Sequence, residues 1–170
     1  MKGMVKKVKK FFIIILIMNK NMFKSIKEYH SEEIYKLQKN YKKDFGNNIW
    51  KSDELKISIK NKKLEGDVFV IENKVGGFCF FKKIDNYVEI YSIFVVPTHR
   101  KKGVARQFIK SCVEFCKQEK LNKIILDVNE TNLHAINFYR KNNFLFCGKR
   151  KNYYRIMEKF YDAFTMQLIL

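Results

Sequence analysis

Acidic residues are scarce in this chain. Its 17 Asp and Glu stand against 35 Lys and Arg, a formal charge of +18 over 170 residues. Such a field draws acidic partners: RNA, an acidic membrane surface or a polyphosphate-bearing cofactor. No compact basic-aromatic motif accompanies it, so the charge alone does not mark a nucleic-acid binder. Proline is scarcer still, a single residue beside abundant Lys, Asn, Ile and Phe. That mixture reads as genome-wide compositional bias rather than as function.

The four cysteines, Cys79, Cys112, Cys116 and Cys147, include no C-x-x-C pair, and no histidine sits at metal-ligand spacing. The usual zinc and dithiol frameworks are therefore absent, and no metal is expected. Cys112 and Cys116 lie four apart in a helical pattern and share one face as small core residues. Free thiols suit a reducing cytoplasm. Long apolar runs are missing as well. Phe11 to Met18 form an apolar octet behind five Lys in residues 2–10. Eight residues are too few to cross a bilayer, and no small-residue cleavage site follows, as a signal peptide requires. Residues 1–21 are read as a basic and apolar extension, a targeting or membrane-surface segment, or a stretch ahead of a later start at Met22. No stable membrane insertion is expected. They hold six Lys and no acid, which leaves +12 on residues 22–170.

What is present is material for one folded domain over residues 22–170. Hydrophobic residues make up 46% of the chain, with 16 Phe and 9 Tyr, enough to bury a core without staples. The pattern predicts a strand over 23–29, then helices from Ser31 to about Lys43 and from Ser52 to Ile59, each serine serving as cap. Three strands follow as an antiparallel meander, Asp67 to Glu72, Val75 to Lys83 and Tyr87 to Val96, with turns at Asn73-Lys74 and Asp85-Asn86. After Pro97 the apolar period becomes 3.6 through Val104, Phe108, Cys112, Val113 and Cys116. A strand at Ile124 to Val128, a helix at Leu133 to Lys141, and strands at Phe144 to Lys149 and Tyr161 to Leu170 complete the chain. The expected class is mixed α/β: a central mixed sheet, a meander followed by β-α-β-α-β-β, and helices on both faces. No linker, repeat or second domain interrupts it.

One turn has a direct physical use. Val95-Val96-Pro97 leads into Arg100-Lys101-Lys102-Gly103-Val104-Ala105 and then an amphipathic helix with Arg106 in its first turn. The first N–H groups of a helix lack intrahelical partners, and the helix dipole favours an anion there. Gly103 lets that anion approach the backbone, and the small Ala105 follows. The segment is neither a Walker motif nor a G-x-G-x-x-G fingerprint, so nucleotide hydrolysis and dinucleotide binding are not supported.

That segment, from Val95 to Ala105, resembles the acetyl-CoA signature of the GNAT acetyltransferases: Arg or Gln, two residues, Gly, one residue, then Gly or Ala. Downstream, Leu126-Asp127-Val128-Asn129 to Phe144 is similar to the second block of that family, in which an Asn precedes a helix that ends in a Tyr. Asn143 stands where that block carries Gly, and Asn is the next best residue for a left-handed backbone. The likeness extends over residues 23–170. Within the family, Arg150-Lys151-Asn152-Tyr153-Tyr154 and Tyr161-Asp162-Ala163-Phe164-Thr165-Met166 resemble segments of bacterial ribosomal-protein-alanine N-acetyltransferases.

The resemblance implies a site. Ile93, Phe94 and Val95 would pair with the pantetheine arm of acetyl-CoA. Arg100, Lys101, Lys102, Gly103, Val104, Ala105 and Arg106 would hold its pyrophosphate, and Asn132 would contact it further along. An amide near Phe94 or Val95 would serve the thioester oxygen. Tyr139 would be the general acid toward the CoA sulfur. Asp127 occupies the place of a family Glu base, one methylene shorter, so it acts directly, through a water, or only by orienting the acceptor; Glu130 is a nearby alternative. Tyr153 and Tyr154 would line the acceptor groove. His30, His99 and His134 have no constellation and are read as solvated or capping residues. The implied activity is acetylation of a protein N-terminus, that of a ribosomal protein beginning with Ala or a similarly small residue, with RNA nearby and the enzyme a monomer or weak dimer. The alternatives are acetylation of a lysine side chain or small amine, and a non-catalytic acyl-CoA-binding or RNA-associated protein.

Overall fold

A computed structural model describes residues 22–45, 48–156 and 158–170; the N-terminal extension lies outside them. Strand β1 (Phe23–Ser25) is followed by a 3-10 turn at Glu28–His30, helices α1 (Ser31–Asn40), α2 (Lys42–Phe45) and α3 (Ser52–Lys60), then β2 (Glu65–Ile71), β3 (Lys74–Ile84) and β4 (Tyr87–Val95). After a 3-10 turn at Pro97–His99 come α4 (Val104–Gln118), β5 (Lys123–Asn129), α5 (Leu133–Lys141), β6 (Leu145–Ile156) and β7 (Lys159–Ile169).

The strands form one sheet in the order β1-β2-β3-β4-β5-β7-β6. Every neighbouring pair is antiparallel except β4 and β5. The crossover between those two is α4, which explains why the amphipathic period sits between the meander and the fifth strand. This is the mixed α/β architecture the pattern predicts. Alternation along the strands builds two cores. Phe69, Cys79, Phe81, Val88, Ile90 and Leu126 pack on one face with Phe108, Cys112 and Cys116 of α4 and Ile136 of α5. Val68, Phe78, Phe80 and Phe94 pack on the other with Ile34 of α1 and Leu55 of α3. Phe78, Phe80 and Phe108 are fully buried; truncating one to Ala costs about 3–5 kcal/mol.

Several local expectations need correction. The first strand stops at Ser25, because the chain turns at Glu28–His30. Ser31 is the first residue of α1 rather than its cap: His30 takes the N-cap position, and Ser31 Oγ donates 2.7 Å back to Glu28 O. Ser52 likewise lies inside α3, whose N-cap Lys51 donates its N–H to Glu54 Oε2 at 3.2 Å. The first hairpin turns at Glu72 and Asn73, both at positive φ, one residue before the expected pair. His30 fills the capping half of its expected role: it is buried, it is the N-cap of α1, and its Nδ1 accepts the Lys27 N–H at 2.9 Å. Cys79, Cys112 and Cys116 are buried free thiols, whereas Cys147 is exposed.

Candidate active site

Pairing between β4 and β5 is brief. Val88, Glu89 and Ile90 pair with Ile124, Ile125 and Leu126, yet β4 runs on to Val95 and β5 stays paired with β7 as far as Asn129 opposite Ala163. The two parallel strands therefore part after Ile90 and Leu126, and a wedge opens at the centre of the sheet. A bulge marks its mouth. Phe81 pairs with Ile90 and Phe80 with Ser92, so Tyr91 is an extra residue in β4. Such a bulge bends its strand and sharpens the twist, which is what a diverging strand requires. Beyond it β4 remains paired with β3 from Ser92 to Val95. Val96 N–H donates to Gly76 O at 2.9 Å, so strand alternation turns the main-chain groups of Ile93 and Val95 toward the wedge. Of the two amides considered for an oxyanion, Val95 N–H faces the opening and that of Phe94 faces β3.

At the end of β4 the chain turns into α4. Gly103 is the N-cap at φ +86, Lys101 also has positive φ at +61, and the first turn of α4 carries no acid. Lys101, Lys102 and Arg106 are exposed around the free helix terminus. Together these give the corner the free amides and positive charge that an anion would meet. Arg100 is engaged differently. Its Nε donates to Val95 O at 2.8 Å, its guanidinium stands 3.1 Å from Asp44 Oδ2, and it lies over the Phe94 ring. It fastens the turn to α2.

Along the wedge lies a cavity of about 650 Å³, bounded by Phe45 at the end of α2 and Asn48, Ile49 and Trp50 after it, by Glu89, Tyr91 and Ser92 of β4, by Asp127 of β5, and by Tyr153, Tyr154 and Arg155 of β6. Asp44, Glu54, Glu89 and Asp127 give it an acidic lining on a chain that is otherwise strongly basic. Burial, with the Glu89 carboxylate adding to it, holds the Tyr91 phenol above its ordinary range. A second bulge delivers the tyrosines. Between the pairs Arg150–Ala163 and Tyr154–Tyr161, β6 carries three residues against one of β7. Asn152, at φ +53, donates its N–H to Asp162 Oδ1 at 2.8 Å within that bulge. Tyr154 Oη then donates to Asp127 O at 3.1 Å, and the Tyr153 and Tyr154 rings meet edge-on at 5.1 Å.

Asp127 sits where the wedge begins. Ile124, Leu126 and Val128 face the α4 core, so Asp127 points to the cavity side. Its Oδ1 accepts from Thr165 Oγ1 at 2.6 Å, and Arg150 Nε lies 3.3 Å from its Oδ2. Glu130 is occupied elsewhere: its Oε1 accepts Asp162 N–H at 3.2 Å and its Oε2 pairs with Lys149 at 3.1 Å.

A parted pair of parallel strands, a glycine turn opening α4 in the wedge and an aromatic cavity behind it agree with the comparison of the sequence with known families. Residues 28–144 match the Acetyltransferase (GNAT) family. The chain belongs to that family. A putative [ribosomal protein bS18]-alanine N-acetyltransferase of Bacillus subtilis is 28% identical over 83 residues, 49% of this chain and 55% of that protein. Streptothricin acetyltransferase of Streptomyces lavendulae is 36% identical over 59 residues, 35% of this chain and 31% of that protein. The chain thus spans from about a third to about half of the length of these relatives. The crystal structure of a ribosomal-protein-alanine N-acetyltransferase from Brucella melitensis superposes with a TM-score of 0.75 at 17% identity, over 87% of this chain and 99% of that one, which shows the shared fold.

Within this GNAT framework the remaining expected residues are placed as follows. Tyr139 lies on α5, packed against Phe144 and Phe138 with ring centroids at 5.5 and 5.3 Å. Burial pushes its phenol well above the ordinary range, with the Cys79 thiol and the Tyr154 phenol reinforcing the shift, so the hydroxyl stays protonated. Asn132 is the N-cap of α5, its Oδ1 accepting Ala135 N–H at 3.1 Å. Asn143 takes φ +66, the left-handed value its place in the turn calls for. Glu89, Tyr91 and Ser92 belong to the cavity without having been singled out in the sequence; an acid in an otherwise apolar strand at Glu89 was the available signal. Phe45, at the end of α2, and Trp50, in the loop that follows, also join the cavity through packing that no periodicity reveals. Among the described residues, no group of His, Cys, Asp and Glu is placed to hold a metal ion, and no helix is long and apolar enough to cross a membrane.

Proposed function

We propose that this GNAT protein transfers an acetyl group from acetyl-CoA to the α-amino group of a protein N-terminus, that of a ribosomal protein beginning with Ala or a similarly small residue. The observation that carries the proposal is the wedge: β4 and β5 separate at Ile90 and Leu126, with the anion-binding turn at one end and the aromatic, acidic cavity behind it. Main-chain groups of Ile93 and Val95 are turned to the wedge for the pantetheine arm. Lys101, Lys102, Arg106 and the first amides of α4 suit a pyrophosphate. The cavity lined by Tyr91, Trp50, Tyr153 and Tyr154 suits an extended acceptor. The names borne by the B. subtilis and B. melitensis proteins support the ribosomal acceptor.

The acceptor nitrogen bonds to the acetyl carbon while the carbon–sulfur bond breaks. Val95 N–H is aimed to stabilise the charge developing on the acetyl oxygen. Tyr139 gives its proton to the departing sulfur, and the proton lost by nitrogen leaves toward Asp127, directly or through a water. No covalent enzyme intermediate is needed.

The test is a set of peptides differing in their first residue, each offered with acetyl-CoA beside N-blocked peptides that carry an internal lysine, with the acetyl group located by mass spectrometry. Transfer to α-amines of Ala, Ser or Gly peptides is expected. Modification confined to lysine would move the assignment to the side-chain alternative, and absence of any transfer would favour a non-catalytic acyl-CoA-binding protein.

A further inference from the structure

The Asp127 carboxylate is committed before any acceptor arrives. Thr165 Oγ1 holds Oδ1 at 2.6 Å, and Arg150 Nε stands 3.3 Å from Oδ2. The Asp127 side chain is 9% exposed whereas that of Arg150 is 51% exposed. The guanidinium also lies 5.2 Å from the centre of the Tyr153 ring, on the cavity wall. From β6, Asp127 is faced by Arg150, by Tyr154 through its hydroxyl on Asp127 O, and by Cys147, whose thiol feels its charge. From β7 it meets Thr165, and the cavity adds Arg155 of β6 and, across the wedge, Glu89 and Tyr91 of β4. Arg150 is the cation in ion-pair contact with it among the described residues.

That pairing changes what Asp127 can do. A lone, shielded carboxylate would attract an ammonium group and accept its proton. A carboxylate already paired with Arg has less to offer in either respect, because the guanidinium engages one of its oxygens and repels a second cation. Attack is then left to amines that reach the site neutral. An α-amine has a pKa of about 7.7–8.0 and a lysine about 10.4. At pH 7.5 roughly a quarter of the α-amine is neutral against about one lysine in a thousand, a preference of about two hundredfold. We propose that Arg150 is a specificity-determining positioning residue: by pairing with Asp127 it reserves the acceptor site for amines of low basicity, N-terminal α-amines over lysine side chains. This rests on the Nα-acetylation reading above.

The experiment compares wild type, Arg150→Gln and Arg150→Lys on two peptides of one sequence. One has a free N-terminal Ala and no lysine; the other is N-blocked and carries a single lysine. With kcat/KM measured from pH 6.5 to 9.5, wild type is expected to favour the α-amine by about a hundredfold or more up to about pH 8, its kcat/KM on that amine rising to a break near the peptide's own pKa of about 8, and the preference shrinking above it as lysine loses its proton. Arg150→Gln is expected to narrow the preference at least tenfold through a gain on lysine and to move the break to lower pH. Arg150→Lys restores both. Thermal melts check folding, which a half-exposed side chain does not endanger. A Gln variant that loses activity equally on both peptides, or that leaves the ratio and the break in place, overturns the role of Arg150 while α-amine transfer by wild type stands. Lysine-only transfer or no transfer by wild type overturns both.

Discussion

Thr165 and Asp127 are direct partners in the β5–β7 register, and the threonine hydroxyl donates to Asp127 Oδ1 across 2.6 Å. One rung of the sheet thereby fixes the rotamer of the acid at the mouth of the wedge. Thr165→Val keeps the shape and removes the donor. Loss of a hydrogen bond to a charged group costs about 1.5–3 kcal/mol of stability, and the released carboxylate is expected to lower kcat about tenfold while acetyl-CoA KM stays unchanged. Thr165→Ser should recover most of both. Steady-state kinetics beside thermal melts distinguish this from a purely structural role, in which the melting temperature falls and kcat does not.

Tyr139 is predicted to act as the proton donor. Its burial raises the phenol pKa, so the donor form persists at every pH the fold tolerates and no basic limb from this group is expected below about pH 10. Tyr139→Phe preserves packing against Phe144 and should lower kcat by about a hundredfold or more, the usual weight of a general acid, without changing affinity for CoA. A variant that turns over normally removes Tyr139 from the chemistry.

Much of this was legible in the residues. The 3.6-residue period from Val104 gave α4, and the bounds of α5 at Leu133 and Lys141 were read as they stand in the fold. The glycine turn was read at the start of α4, where Gly103 is the N-cap, and Asn132 stands as the cap of α5. What stayed hidden follows from geometry that no local pattern encodes. Ile125 is apolar like Ile124, so the run around Asp127 reads as buried on both faces, and only the sheet shows that Asp127 and Ile125 share the cavity side. The bulge at Tyr91 and the wider one at Lys151–Tyr153 come from pairing across strands, and the second carries β6 through Ile156, well past the expected end at Lys149. Arg150 illustrates the same limit. It was read as part of a family segment, and its contact with Asp127 depends on two strands far apart in the chain.

Two glycines at positive φ separate strain from space. At Gly66, φ is +155 and an added Cβ would lie 2.0 Å from Cys79 O on the paired strand β3. Backbone cannot swing aside as a side chain can, so Gly66→Ala should destabilise the fold by about 3 kcal/mol and broaden its melting. At Gly103, φ is +86 and nothing lies within 4 Å. Gly103→Ala then costs only the left-handed backbone, about 1–2 kcal/mol. Its stronger effect is expected on acetyl-CoA KM, which should rise as the methyl crowds the anion corner. Chemical denaturation and KM measured on both variants check the contrast.

His30 makes the stability of the N-terminal region pH-dependent. It is buried at 5% exposure, and Nδ1 must be unprotonated to accept the Lys27 N–H at 2.9 Å. Burial lowers its pKa below the ordinary 6.5; Glu33 opposes that shift, while the charge of Lys24 adds to it. Below 6.5 the unfolded chain therefore binds a proton that the folded chain refuses. The contribution of His30 is full above that pH and is lost progressively as the pH falls through the lowered folded value. His30→Asn retains an acceptor for Lys27 N–H and does not titrate. The difference in Tm between wild type and His30→Asn is expected to be constant from pH 8 to about 6.5 and to shrink, or reverse, toward pH 5. A difference that holds steady over the whole range would mean that the buried imidazole takes up its proton without penalty.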